Sequence, residues 1–202
     1  MKPLLFCGLL LLSGVPRAGA DAPWAQEAAV AAIQRLGGTV EFDEVAAGRP
    51  VVRVDLHGVK LSDDDLSVLA PLTELRSLDL RLTPISDAGV ARLKSLTQLR
   101  FLNLFRTRTS DAGLQQLTGM RNLETLLIGG TKVSDDGLAT LKAFPFLRKV
   151  SVFDTQVGDA GVKHLIGLPH LEVLLIGKSK VTERGARAMQ EALPRLRFNE
   201  ST

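Results

Sequence analysis

Residues 75–98 read LRSLDLRLTPISDAGVARLKSLTQ, and residues 99–122 read LRFLNLFRTRTSDAGLQQLTGMRN. Two more blocks of the same length follow without insertion, LETLLIGGTKVSDDGLATLKAFPF from Leu123 and LRKVSVFDTQVGDAGVKHLIGLPH from Leu147. Leucine or valine at 51, 75, 99, 123, 147 and 171 opens six blocks, which fixes the period at 24 residues. An unbroken period of this length predicts an array of structural units, each buried against its neighbours.

One block explains the pattern. Leu75, Leu78 and Leu80 follow L-x-x-L-x-L, with the fourth and sixth positions on one face of a short strand. Position 11 (Ile85, Val133, Val157) turns back toward the core. Position 12 is Ser or Thr in five of the six blocks, an N-cap before a helix. Val90, Leu93 and Leu96 then form one helical stripe. Stacking predicts an α/β solenoid with a curved parallel sheet on its concave side and helices on its convex side.

With these columns in place, residues 51–196 resemble leucine-rich repeats of the bacterial subtype carrying T-x-[VI]-[ST]-D-x-G-[LV] after the strand, similar to those of F-box-associated proteins. The resemblance implies a recognition surface. Departures fall in the outer blocks: Val59 and Asp65 stand in place of Thr and Gly in the first, Glu183 and Ala186 in place of Asp and a bulky aliphatic in the sixth. Terminal repeats are commonly atypical. Residues 21–50 read as an N-terminal cap, with a helix over 24–36 stopped by Gly37-Gly38 and a strand over Thr39–Phe42. Residues 197–202 read as a truncated last strand and tail. The Leu193-Pro194-x-Leu196 lead-in comes one residue late relative to Leu168-Pro169-x-Leu171.

Residues 1–20, MKPLLFCGLLLLSGVPRAGA, read as a signal peptide with cleavage after Ala20. Lys2 makes the positive start, Leu4–Leu12 the apolar run and Ala18-Gly19-Ala20 the small-residue site. The expectation is a secreted or periplasmic chain with no stable membrane span after cleavage. Cleavage removes the single Cys, so no disulfide is expected. It also removes Lys2 and Arg17, taking 25 basic residues to 23 against 22 acidic ones. The net charge falls from +3 to +1, which gives no footprint for a nucleic-acid partner.

The remaining signals are columns rather than motifs. Gly177-Lys178-Ser179 looks like the end of a phosphate loop, but Glu172 stands where the first glycine is needed. Thr83, Thr107, Thr131, Thr155 and Ser179 form a hydroxyl column expected to satisfy turn backbone between neighbouring repeats. Asp63, Asp87, Asp111, Asp135, Asp159 and Glu183 form an acidic column suited to helix starts. Gly89, Gly113, Gly137, Gly161 and Gly185 read as room for close packing. His57, His164 and His170 fall in different columns, no nucleophile and base stand in register, and no cofactor or metal site is expected.

Function is expected on the concave face, at strand positions 3, 5 and 7. The first two blocks place Arg53, Asp55, His57, Ser77, Asp79 and Arg81 there, a charged end. Later blocks place Phe101, Phe105, Leu127, Phe153, Val173 and Leu175 there, an apolar end. Gly129 and Gly177 alternate with Phe105 and Phe153, so two rings are expected to flank a hollow floored by backbone. Exposed apolar patches of this kind mark contact sites. Beside them runs a basic edge: Arg106 and Lys178 at position 8, Lys60, Arg108, Lys132 and Lys180 at position 10. The expected function is non-enzymatic binding of a protein or envelope component. The alternative is an intracellular F-box-like adaptor, for which residues 21–50 are too short to supply the F-box helices.

Overall fold

The structure, a computed structural model, describes residues 23–199. The expected signal peptide and its Cys7 lie outside the described residues. Eight strands form one sheet in sequence order: β1 Thr39–Phe42, β2 Val51–Asp55, β3 Ser77–Asp79, β4 Phe101–Asn103, β5 Thr125–Leu127, β6 Lys149–Ser151, β7 Val173–Leu175 and β8 Arg197–Asn199. From β2 onward every pairing is parallel and in register at a spacing of one block, so Val54, Leu78, Leu102, Leu126, Val150 and Leu174 form one inward column. This is the leucine-rich-repeat solenoid.

Each block buries the residues that its spacing selects. Leu75, Leu78, Leu80, Ile85, Val90, Leu93 and Leu96 have no exposed surface. Burying a side chain of this size contributes roughly 1.5–3 kcal/mol, and the stack repeats that gain block after block. The convex side is built of single turns rather than long helices: α2 Asp87–Ala91, α3 Asp111–Gln116, α4 Asp135–Leu138 and α5 Asp159–Lys163, three of them running on into 3-10 turns. The first repeat has only a 3-10 helix, Asp64–Leu69. Helices this short do not hold alone in water, so the stacking holds them.

The array is closed at its start by α1, Pro23–Leu36, whose Ala29 and Ile33 enter the core, and by β1, which pairs antiparallel with β2. At the other end the one-residue delay in Leu193–Leu196 does not reach the strand. β8 pairs with β7 at the usual spacing, Arg197 against Val173 and Phe198 against Leu174. The delay follows the longer helix α6, Glu183–Ala192, and persists through Leu196. It is recovered between Leu196 and Arg197, one residue fewer than between Leu171 and Val173. A one-residue slip in the strand would have turned Phe198 from the core to the concave face.

The acidic column does more than favour helix starts. Each Asp reaches across to the N-cap residue of the next block. The backbone N–H of Ser86 donates to Asp63 Oδ1 at 2.7 Å and its hydroxyl donates to Oδ2 at 2.5 Å. Ser110 repeats this on Asp87, Ser134 on Asp111 and Thr182 on Asp159. Gly158 has no hydroxyl and keeps only the backbone bond, to Asp135 at 2.7 Å. The glycine column is the other half of this contact. A Cβ on Gly89, Gly113, Gly137, Gly161 or Gly185 would overlap Oδ1 of the preceding block's Asp. In the first block, with no earlier carboxylate to seat, position 15 is Asp65, whose Oδ2 accepts from Ser62.

The hydroxyl column works within each block, not between blocks as its spacing suggested. Thr83 Oγ1 donates to the carbonyl of Leu80 at 2.5 Å, Thr107 to Leu104 at 2.8 Å and Thr131 to Ile128 at 2.6 Å. The turn folds back on its own strand, so the nearest unpaired carbonyl is three residues earlier in the same chain segment.

Candidate functional site

The concave face takes its character from residues that alternate outward along each three-residue strand. At its N-terminal end the charges pair with one another. Asp55 Oδ1 lies 2.8 Å from His57 Nδ1, Arg81 lies 3.5 Å from Asp79, and Arg53 lies 3.2 Å from Glu41 of the cap strand. Burial pushes the Asp55 carboxyl up, but hydrogen bonds from the His57 backbone and ring, with the charges of His57 and Arg81, bring it below its ordinary range.

Further along, Phe105, Leu127, Phe153 and Leu175 come together around a hollow of about 240 Å³. All four are partly exposed. Its polar lining is Arg81, Asn103 and Ser151. Asn103 Oδ1 accepts from the Phe105 backbone at 3.0 Å and its Nδ2 donates to Asp79 at 3.2 Å, which fixes the amide. Sequence reasoning passed over Asn103 and Ser151, and left Arg81 with the charged end. Reading positions 5 and 7 whole, polar members included, finds all three.

Both rings line the hollow, but the expected floor of glycine backbone between them is not there: neither Gly129 nor Gly177 is in its lining. The Phe105 and Phe153 ring centroids are 6.4 Å apart and tilted by 45°, a packed aromatic pair. Phe105 leans over Gly129, which is buried. A Cβ at 129 would lie 3.0 Å from the ring and 2.8 Å from the Phe153 carbonyl oxygen. Gly129 therefore seats a ring instead of flooring a cavity. Phe101 and Val173 are half-buried in the position 3 column and Gly177 follows β7, none of them lining the hollow.

The basic edge joins the hollow more closely than its columns suggested. The Arg106 guanidinium sits 5.2 Å from the Phe105 ring centroid, and the Lys178 ammonium 5.5 Å from that of Phe153. Each cation covers a ring face. Arg108, Lys132 and Lys180 hold position 10, each backbone N–H bonded to a carbonyl of the preceding block. Adjacent blocks there stand about 4.8 Å apart. Lys60 and the five edge residues Arg106, Arg108, Lys132, Lys178 and Lys180 are exposed, and none lies within ion-pair distance of a carboxylate among the described residues. Asp154 is the lone acid in these two columns.

Position 8 holds a feature that sequence reasoning missed. Leu82, Arg106, Asp154 and Lys178 have φ between 54° and 58°, and Gly58 and Gly130 have φ of 67° and 66°. All six blocks leave the strand through a left-handed residue. The two glycines in the column were the available signal.

On the opposite rim, at the strand starts, three arginines are paired. Arg76 pairs with Asp43 at 3.2 Å, Arg100 with Glu124 at 3.3 Å and Arg148 with Glu172 at 2.6 Å. Exposed Phe146 stacks there on His170, ring centroids 6.1 Å apart.

Comparison with known proteins supports the architecture. A family model described as leucine-rich repeat matches residues 72–94. No curated protein sequence matches the chain. Among solved structures, an internalin from Listeria monocytogenes is similar over 88% of this chain, with a TM-score of 0.56 and 20% sequence identity. The chain spans about half of that protein, 55% of its length, and the likeness is one of fold.

Proposed function

We propose that the chain is a non-enzymatic binding module that takes a protein or envelope component on its concave face, outside the cytoplasm. One observation carries the reading: four large apolar side chains, Phe105, Leu127, Phe153 and Leu175, converge on a partly exposed hollow where a solenoid needs none for its own core. Its volume of about 240 Å³ is below the roughly 300 Å³ at which small-molecule sites begin, so it fits a partner's side chain better than a whole cofactor. Export rests on residues 1–20, and no helix among the described residues is long and apolar enough to cross a membrane.

The test is Phe105→Asp with Phe153→Asp. Both rings lie outside the buried core, so the double variant should keep the wild-type circular dichroism spectrum and a cooperative melt. It should lose the partners that wild-type protein captures from an envelope extract of its native host. Intact mass of the protein recovered from that host should correspond to a chain beginning at Asp21. Undiminished capture by the double variant would sink the concave-face reading, and a mass retaining residues 1–20 would sink the cleavage.

A further inference from the structure

Resting on that reading, we infer that the partner presents an acidic polypeptide segment carrying one large apolar side chain. The apolar side chain fills the Phe105–Leu127–Phe153–Leu175 hollow, and carboxylates beside it meet Arg106, Arg108, Lys132, Lys178 and Lys180. The argument is one of charge complementarity. Of the cations on the strand-start rim, Arg76, Arg100 and Arg148 each have a carboxylate within ion-pair distance, as do Arg53 and Arg81 of the first two concave strands, while Lys149 and Arg197 have none among the described residues. The strand-end rim gathers six cations, five of them in the blocks that form the hollow, with Asp154 the one acid in their two columns. None of the six has a carboxylate within ion-pair distance among the described residues, although the charge of Arg108 is felt by Asp63 at the helix starts. Arg108 and Lys132 are neighbours in one column with no acid between them. Like charges held this close repel, and an anionic partner relieves the repulsion while steering its own approach.

Two features narrow the anion to a polypeptide. The hollow is one side chain in size, and two of the rim cations, Arg106 and Lys178, cover the rings that line it, so apolar and anionic groups must arrive on one short segment. The ring faces that a nucleobase would stack on are already occupied, by each other and by Arg106 and Lys178. A flat anionic lipid surface would reach the rim but leave the hollow unfilled.

The experiment selects binders from a displayed random-peptide library on the full protein, with phosphatidylglycerol vesicles and a single-stranded oligonucleotide tested in parallel. Enriched peptides should carry an excess of Asp and Glu around one large apolar residue. Their affinity should fall as ionic strength rises from about 0.1 M to about 1 M, where the screening length shrinks from about 10 Å to about 3 Å. Arg108→Gln, Lys132→Gln and Lys180→Gln together should weaken a selected peptide by about three- to one-hundred-fold. Glutamine already occupies this column at Gln156, so the triple variant should fold normally. Replacing the peptide's apolar residue by Gly should abolish binding. No enrichment, enriched peptides without an acidic excess, or an unchanged affinity for the triple variant would each overturn the inference. So would vesicles or the oligonucleotide binding where acidic peptides do not. Selected peptides that still bind Phe105→Asp/Phe153→Asp would instead show that the concave-face reading itself is wrong.

Discussion

Asp63 is held by Ser86 of the next block and sits over Gly89, so three residues from two blocks make one contact. Burial raises the Asp63 pKa, but hydrogen bonds from the Ser86 side chain and backbone and from the Gly89 N–H, with the charge of Arg108, hold it below the usual carboxylate range. The contact makes a double-mutant cycle informative. Gly89→Ala alone forces a methyl into the carboxylate and should cost about 1–3 kcal/mol, the usual range for overpacking. In an Asp63→Ala background the carboxylate is gone and only the end of the Leu66 side chain, at 3.2 Å, stays close. The same change should then be neutral or stabilise by up to about 1 kcal/mol, the helix advantage of Ala over Gly. Urea unfolding of the four proteins reads the difference, and an equal cost in both backgrounds would refute the seat. The pH sign follows from the lowered pKa. The folded-state carboxyl titrates below its unfolded value of about 3.9, so its stabilisation is complete above that pH and is lost as pH falls through the folded value. The cost of Asp63→Ala should therefore be full at neutral pH and shrink below about pH 4.

At the scale of one repeat, the left-handed residue at position 8 sets where the concave face ends and the rim begins. It aims Arg106 back over Phe105 and Lys178 over Phe153. Non-glycine residues give up about 1–2 kcal/mol in this conformation, partly offset because glycine loses more freedom on folding. Leu82, half-exposed and outside the core cluster, has little packing to lose. Leu82→Gly should therefore leave stability unchanged or raise it by up to about 1 kcal/mol. Gly130→Val in the same column should cost about 1–2 kcal/mol or more, because its side chain meets Arg106 and its backbone must stay left-handed. Urea midpoints of the two variants moving in the same direction would contradict a shared left-handed column. The same distinction marks how far the sequence could be read. Strand positions and the buried columns were legible because a 24-residue period repeats them and each depends only on burial. The Asp63–Ser86 contact was not, since it depends on the offset between stacked blocks, which no single block encodes. The packing of Phe105 over Gly129 depends on a side-chain torsion that periodicity does not constrain. For the candidate site, the apolar and basic members were legible by register, whereas Asn103 and Ser151 were hidden by attention to hydrophobicity alone.

Across the whole molecule, stability passes from block to block through shared faces, and the ends differ in how they are closed. At the start, Ile33 is fully buried against the first repeat, and a Cβ at Gly38, where the chain turns into β1, would overlap Leu56 and Ile33. Arg53–Glu41 and Arg76–Asp43 tie the cap to the first two repeats. At the far end Glu183 has no Ser or Thr of a following block on it among the described residues, and it pairs within its own helix with Arg187 at 3.6 Å. In an array stabilised by nearest-neighbour contacts, weakening the first contact should be felt most by the blocks beside it. Ile33→Ala removes buried methyl groups at that contact and should cost about 2–5 kcal/mol. Amide hydrogen exchange should then show the greatest loss of protection in β1, β2 and β3 and the least in β6 and β7, because those strands open locally without the cap's support. A uniform loss from β1 to β7 would mean that the array opens only as one cooperative unit. In that case the concave hollow, four blocks from the cap at Phe153, would be as sensitive to a weakened cap as β2 itself, and partner binding would fall with Ile33→Ala.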